Sequence, residues 1–378
     1  MSDMQRLKIA AYAPSSSACG YYRILIPLSY LSRYKLADKV RIFGSLSGSE
    51  NIDDYDVVIT QRETRPTIRE DLRKLRLLKK TIILDTDDML ECVHPSNPAY
   101  QFYYPGSPHL ENYLWALKNS DALTVTTHEL RKNYEHTTDS IFVLPNYLDF
   151  EMREWPRMHG VNQDRLRIGW SGSSSHLKDL TIIGPVLKSI LSKYRNVVYV
   201  HFAHEDLFKF LLKQYSLPED RAIIIPPVDF EKYPQQLANF DIGLCPLANS
   251  EFNRCKSDLK PKEYGACGIP FVASNVAPYA RYAEEGKDGF LATSEVDWIE
   301  RISQLIEDAK LRTRMAYYAF QKVRSNYGML SHINEYLECW SDIRNGKKKV
   351  WPRVGRNDDC PCGSGAKAKR CKCYPIYS

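Results

Sequence analysis

The stretch KSDLKPKEYGACGIPFVAS, residues 256–274, joins two kinds of pattern. Charged residues and helix formers fill its first part, and it ends in the apolar run IPFVAS (269–274). A helix followed at once by a continuous apolar strand is the unit of a parallel sheet covered on both faces. The unit recurs outward in both directions. In the second half, LRIGWS (166–171), NVVYVHF (196–202), RAIIIP (221–226) and DIGLCP (241–246) are runs of the same type. In the first half, LKIAAYA (7–13), VRIF (40–43), DVVIT (56–60), TIILD (81–85), DALTVT (121–126) and IFVLP (141–145) match them. Helical segments such as IREDLRKLRLLKK and HLENYLWALKN lie between. This predicts an α/β chain with two Rossmann-like domains, 1–150 and 166–328, facing a cleft. The charge-rich segment 151–165 is expected to link them, with a C-terminal helix over 329–346 and a separate tail over 350–378.

Bulk composition narrows the class. With 378 residues, 43% of them hydrophobic, the chain can bury two cores. It has no apolar run long enough to span a membrane, and its start reads as a first strand, not a signal peptide. Six cysteines (19, 92, 245, 255, 267 and 339) lack framework spacing, so a reducing cytoplasm is expected. The formal net charge is +6, yet residues 344–373 hold ten Lys or Arg against two Asp. The body is therefore nearly neutral and the tail basic, which points any anionic partner, protein or nucleic acid, to the tail.

In doubly wound domains, ligands bind beyond the carboxyl ends of the strands. The turns there are PSSSACGYYR after 7–13, DTDD at 85–88, GSSSH at 172–176 and the long segment after DIGLCP. GSSSH opens a helix directly after a strand, so its backbone N–H groups can cradle a phosphate or simply begin a capped helix. Gly172, Ser173 and His176 lie in this turn and Lys178 just beyond it. Lys256 and Lys260 share a helical face if their helix begins early, as phosphate cations or as solvated lysines.

The second-half pattern, KSDLKPKEYGACGIPFVAS followed by GKDGFLA (286–292), resembles the donor-binding segment of the retaining GT-B glycosyltransferases. The resemblance implies transfer of a sugar from a nucleotide-sugar donor to a hydroxyl acceptor, with no metal needed at the donor site. It implies that Glu263 contacts the donor ribose and that Gly268 and Pro270 open the next strand. Cys255 stands where the family's E-x7-E pattern has its first glutamate. Removing Glu263 is expected to weaken donor binding at little cost in stability, as for an exposed helical glutamate. In the first half, the turn at Gly20 matches the glycine loop over the donor phosphates. Arg23 either adds charge there or pairs with an acidic neighbour. Stabilising a departing nucleoside diphosphate requires such fixed donors and cations.

Asp85, Asp87 and Asp88 resemble the metal-binding D-x-D of the other glycosyltransferase architecture, GT-A. The second half carries its own donor signature, so Asp87 and Asp88 are read as acceptor-side catalytic carboxylates that orient a hydroxyl. A strand-end turn is the simpler alternative.

In the tail, Cys360, Cys362, Cys371 and Cys373 form two C-x-C pairs eight residues apart. Two such turns can offer four sulfurs to one tetrahedral zinc ion, whose binding supplies the folding free energy that the short segment lacks. The stretch resembles the SEC-C motif, a zinc-binding tail found on SecA and on unrelated proteins, although Lys372 separates the last pair. Two other functions are compatible with the whole. One is a catalytically weak or inactive GT-B binding protein recruited by its zinc tail; the other is a glycosyltransferase acting on modified bases in DNA.

Overall fold

The computed structural model of the chain describes residues 6–13, 18–44, 51–157, 165–348 and 367. The four tail cysteines lie outside them. Among the described residues, twelve strands form two sheets of six, parallel throughout. The first sheet holds β1 (Lys8–Tyr12), β2 (Lys39–Phe43), β3 (Val57–Gln61), β4 (Thr81–Thr86), β5 (Ala122–Val125) and β6 (Ile141–Val143). Its order is β2-β1-β3-β4-β5-β6. The second sheet holds β7 (Leu166–Ser171), β8 (Val197–Phe202), β9 (Ala222–Ile225), β10 (Ile242–Cys245), β11 (Phe271–Ser274) and β12 (Gly289–Ala292). Its order, β12-β11-β10-β7-β8-β9, reverses direction between β7 and β10. Both orders are doubly wound, and such sheets open a crevice where the winding reverses. Every apolar run singled out in the sequence is a strand; β12 is an additional one.

The segment 256–274 folds by local rules. Its helix, Leu259–Ala266, starts three residues after Lys256 and not before it. The helix ends in a Schellman motif: the Ile269 N–H donates to the Tyr264 carbonyl at 2.9 Å and the Gly268 N–H to that of Gly265 at 2.8 Å. Gly268 closes it at φ +66°, a left-handed conformation that disfavours any Cβ. Pro270 then blocks further helix and β11 begins.

The two halves are joined twice. Leu148 and Gly328 pair as a parallel bridge, with Leu148 N–H to Tyr327 O and Met329 N–H to Leu148 O both at 2.8 Å. The Met329–Arg344 helix then returns to pack on the Ile26–Arg33 helix of the first half. One hydrophobic core consequently runs through both halves, from Ile9 and Tyr30 to Tyr336 and Trp340. The chain entering the expected linker is held to the first half where it is described. Asp149, 2% exposed, accepts from the Tyr30 hydroxyl at 2.7 Å and from the Met152 N–H at 2.8 Å, while Trp155 donates to its carbonyl.

His201 on β8 is fully buried between the rings of Trp170 and Phe208. Its Nδ1 lies 2.8 Å from the Tyr199 hydroxyl. Burial pushes its pKa down to about 4. The unfolded chain therefore takes up the proton first, so stability is complete above pH ~6.5 and falls as pH drops toward the folded value. Thermal melts between pH 7.5 and 4.5 should show this loss. His201→Gln should flatten the profile, since each pKa unit corresponds to roughly 1.4 kcal/mol.

Candidate active site

A cavity of about 440 Å³ opens where the carboxyl ends of the two sheets face each other. That is a volume suited to a nucleotide-sized ligand. From the first half, Cys19 and Tyr22 follow β1, Arg62 follows β3, and Asp87 and Asp88 follow β4. From the second half, Gly172, Ser173, Ser175 and His176 follow β7, Phe202 ends β8, and Phe230 and Tyr233 follow β9. Lys256, Lys260 and Glu263 come from the segment after β10.

Glu263 is the carboxylate at which the two halves meet. It is 5% exposed, accepting from the Tyr22 hydroxyl at 2.7 Å on one oxygen and from the Tyr233 hydroxyl at 2.8 Å on the other. Tyr233 also lies 3.0 Å from Ser171 at the end of β7. Burial raises the Glu263 pKa; Lys260 and the two hydroxyls oppose that shift. The expectation of an exposed glutamate is thus corrected, because its helix is sandwiched between the sheet and the other half.

Beside it stands a chain of charges. Arg62 donates to Asp87 at 2.5 Å and to Asp88 at 2.6 Å. Asp88 also reaches across the cleft to Lys256 at 3.2 Å. Burial alone would raise the Asp88 pKa, but Lys256 and Arg62 outweigh it and hold the group at about 2. Arg62 sits at φ +44°, an uncommon conformation for a non-glycine residue and one found at functional sites. Lys260 donates to the Ser171 carbonyl, and burial lowers its pKa. His176 is bonded through Nδ1 to Asp179 at 2.7 Å, and burial lowers its pKa too.

Gly172, Ser173, His176, Lys256, Lys260, Glu263, Asp87 and Asp88 all line one cavity. Other expectations need correction. Arg23 is 1% exposed and outside the cavity wall. It holds Asp85 at 3.0 and 2.7 Å, Asn146 at 3.2 Å and the Leu144 carbonyl, so it is the partner of an acidic neighbour and not a phosphate cation. Gly20 is buried inside a short helical segment, Ala18–Gly20, and does not line the cavity. Lys178 is exposed on the first turn of the Leu177–Lys193 helix, outside the cavity wall. Cys255, at the position of the missing glutamate, is buried between the halves. It accepts from Asn133 at 2.9 Å and packs on Met89.

Sequence reasoning missed Arg62, Tyr22 and Tyr233, although Tyr22 lies in the turn that was singled out. It also missed Arg153, 7% exposed, whose guanidinium lies 4.8–5.8 Å from the rings of Tyr21, Trp155, Phe230 and Tyr233. The cation holds the aromatic wall of the cavity against the first half through these ring faces. Among the described residues, no group of three His, Cys, Asp or Glu is placed to hold a metal ion.

Residues 259–322 match the family model described as glycosyl transferases group 1. They include Lys260 and Glu263. The HepE protein of Anabaena, solved with UDP and glucose, is similar over 89% of this chain and 99% of its own, with a TM-score of 0.65 at 15% identity. The architecture is the GT-B fold. Spore coat protein SA of Bacillus subtilis is 23% identical over 211 residues, covering 51% of this chain and 52% of that protein. A SecA translocase subunit of Desulfovibrio desulfuricans is 63% identical over 30 residues, 8% of this chain and 4% of SecA. The chain thus matches about half the length of the spore coat protein and a small part of SecA.

Glu263→Ala would leave the buried Tyr22 hydroxyl unpaired and the Tyr233 hydroxyl with Ser171 alone, at a cost of about 1–3 kcal/mol. Glu263→Gln keeps one acceptor and should cost about half as much. Denaturant melts of the two variants check this; equal, negligible losses would return Glu263 to the surface.

Proposed function

We propose that this chain is a nucleotide-sugar-dependent glycosyltransferase that transfers a sugar to a hydroxyl acceptor with retention of configuration. The observation that carries this reading is the convergence of the Gly172–His176 turn, Lys256, Lys260 and Glu263 on one wall of the inter-sheet cavity. Backbone N–H groups at the turn and two ammonium groups supply what a departing diphosphate needs, namely fixed positive potential in a partly dry site. Glu263 would exchange a tyrosine hydroxyl for the donor ribose. The HepE complexes with UDP and UDP-glucose, in a protein of the same fold, support a nucleoside diphosphate sugar as donor.

Retention is supported by the state of the carboxylates. Those lining the cavity are Asp87, Asp88 and Glu263. The first two are tied to Arg62, and Glu263 accepts from the Tyr22 and Tyr233 hydroxyls, so each is already engaged. An inverting transfer needs a general base for the incoming hydroxyl. Here Asp87 and Asp88 orient that hydroxyl by accepting its hydrogen bond. The proton goes to the departing phosphate on the same face. A donor site without a bound metal is part of the proposal, its charge being carried by the two lysines.

The tail is assigned a separate role. The four thiols form a structural zinc module, resembling SEC-C, that attaches the enzyme to an anionic partner. The 30-residue likeness to SecA is of the size of that segment. The proposed division of labour is 1–150 for the acceptor side, 166–328 for the donor and 350–378 for attachment.

UDP and other nucleoside diphosphates should raise the melting temperature, and hydrolysis of the matching donor without acceptor should be measurable after EDTA treatment. Lys256→Ala or Lys260→Ala should weaken nucleotide binding by about 10–100-fold, as for lost charged hydrogen bonds. Full affinity in both variants would overturn the donor wall. Metal analysis should find about one zinc per chain, lost when Cys360 and Cys362 become serine, with nucleotide binding unchanged.

A further inference from the structure

The first half carries one long stretch without a formal charge. Residues 92–110, CVHPSNPAYQFYYPGSPHL, contain no Asp, Glu, Lys or Arg, in a chain of which 26% is charged. The stretch supplies a cluster of rings: Tyr100 and Tyr104 lie 6.5 Å apart, Phe102 and Tyr103 6.4 Å, and Phe102 and His109 5.6 Å. Phe102 is 46% exposed and Tyr104 43%, so these faces meet water at a cost. The cluster is continuous with the active-site cavity, because Val93, Asn97, Ala99 and Tyr103 of the same stretch line it on the acceptor side.

We infer that this aromatic platform binds the acceptor, and that the acceptor is a neutral saccharide whose ring C–H faces stack on Phe102 and Tyr104. The inference rests on the glycosyltransferase reading and adds the substrate class. Pyranose rings present apolar C–H faces rimmed by hydroxyls, which suits exposed aromatic rings in a stretch whose polar side chains are neutral. Residues 92–110 bring no Lys or Arg to the exposed rings, although Arg62 and Lys256 line the adjoining cavity, so charged occupants are outcomes of the test. Single-stranded nucleic acid is gripped by aromatics together with a basic groove, and most of its affinity comes from phosphate contacts. Adhesion to an anionic lipid surface likewise needs Lys or Arg beside the aromatics. A saccharide on the platform has its end beside Tyr103, and Tyr103 and Asp88 line the same cavity, where the acceptor hydroxyl is oriented.

The full-length protein should be titrated with maltohexaose, cellohexaose and chitohexaose, with and without UDP, and followed by calorimetry and saturation-transfer NMR. At least one should bind with a Kd below about 1 mM and show saturation on its ring C–H protons. The double variant Phe102→Ser/Tyr104→Ser, at exposed positions, should weaken that binding by at least about tenfold, the worth of two stacking contacts. Its affinity for UDP should stay within about twofold, since the sites are distinct. No binding of any hexasaccharide, or binding untouched by the double variant, overturns the inference. So does platform-dependent binding of a single-stranded oligothymidine or of phosphatidylserine vesicles. Failure of the wild type to bind any nucleotide would strike the donor reading alone, because the saccharide arms without UDP are read independently.

Discussion

A guanidinium sealed from water must find partners for its charge and its N–H groups inside the protein, and Arg23 does so at the centre of this molecule. Its partners come from the ends of β4 and β6, and its Nη1 lies 3.5 Å from the Tyr336 hydroxyl on the returning C-terminal helix. Asp85, the carboxylate it holds, also accepts from Thr124 on β5 at 2.7 Å. One ion pair thus fixes the edge of the first sheet that forms the cavity floor. Asp87 and Asp88 follow two and three residues after Asp85 and are held in the cavity by Arg62 and Lys256. Breaking such a pair by removing one partner typically costs 3–5 kcal/mol, and here the cost would be felt as disorder in the site.

The acid–base character of the cavity follows from the same economy of water. Burial works against every charge in it, yet the charges survive where a partner of opposite sign lies within hydrogen-bond reach. Asp88 and Lys256 keep each other ionised across the cleft. Lys260, answered by a backbone carbonyl and near a Glu263 already engaged by two tyrosine hydroxyls, has its pKa lowered by burial instead. Under the proposed function a diphosphate would supply the anion that Lys260 lacks and compete with Asp88 for Lys256.

The fold was legible because the strands are buried on both faces and so read as unbroken apolar runs. β12 escaped notice as a strand because GFLA follows a charged glycine turn and holds no β-branched residue. The segment 256–274 was legible because its helix stop is a local event, a glycine and a proline in fixed order. Site residues were legible where a motif carries them, as in Gly172, Ser173, Lys260 and Glu263. They were illegible where tertiary packing decides. Arg23 and Arg62 are both arginines beyond a strand end, and nothing local says that one faces inward and the other the cavity. Tyr22, Tyr233 and Arg153 gain their meaning from partners at distant positions of the chain, such as Glu263 for Tyr22 and Phe230 for Arg153. Lys178 shows the converse failure: a turn of the right type places only some of its neighbours on the ligand side.

The return of the Met329–Arg344 helix to the first half has a consequence for how the chain can be divided. Neither half is a closed unit, since Tyr30 and Leu31 of one share a core with Ile333, Tyr336 and Trp340 of the other. A fragment ending near residue 150 would expose the seat of that helix, and the remaining fragment would carry the helix with nothing to cover it. Each piece thus presents the surface that the other needs. The chain is suited to non-covalent reassembly from two co-expressed segments, and poorly suited to the isolation of either one.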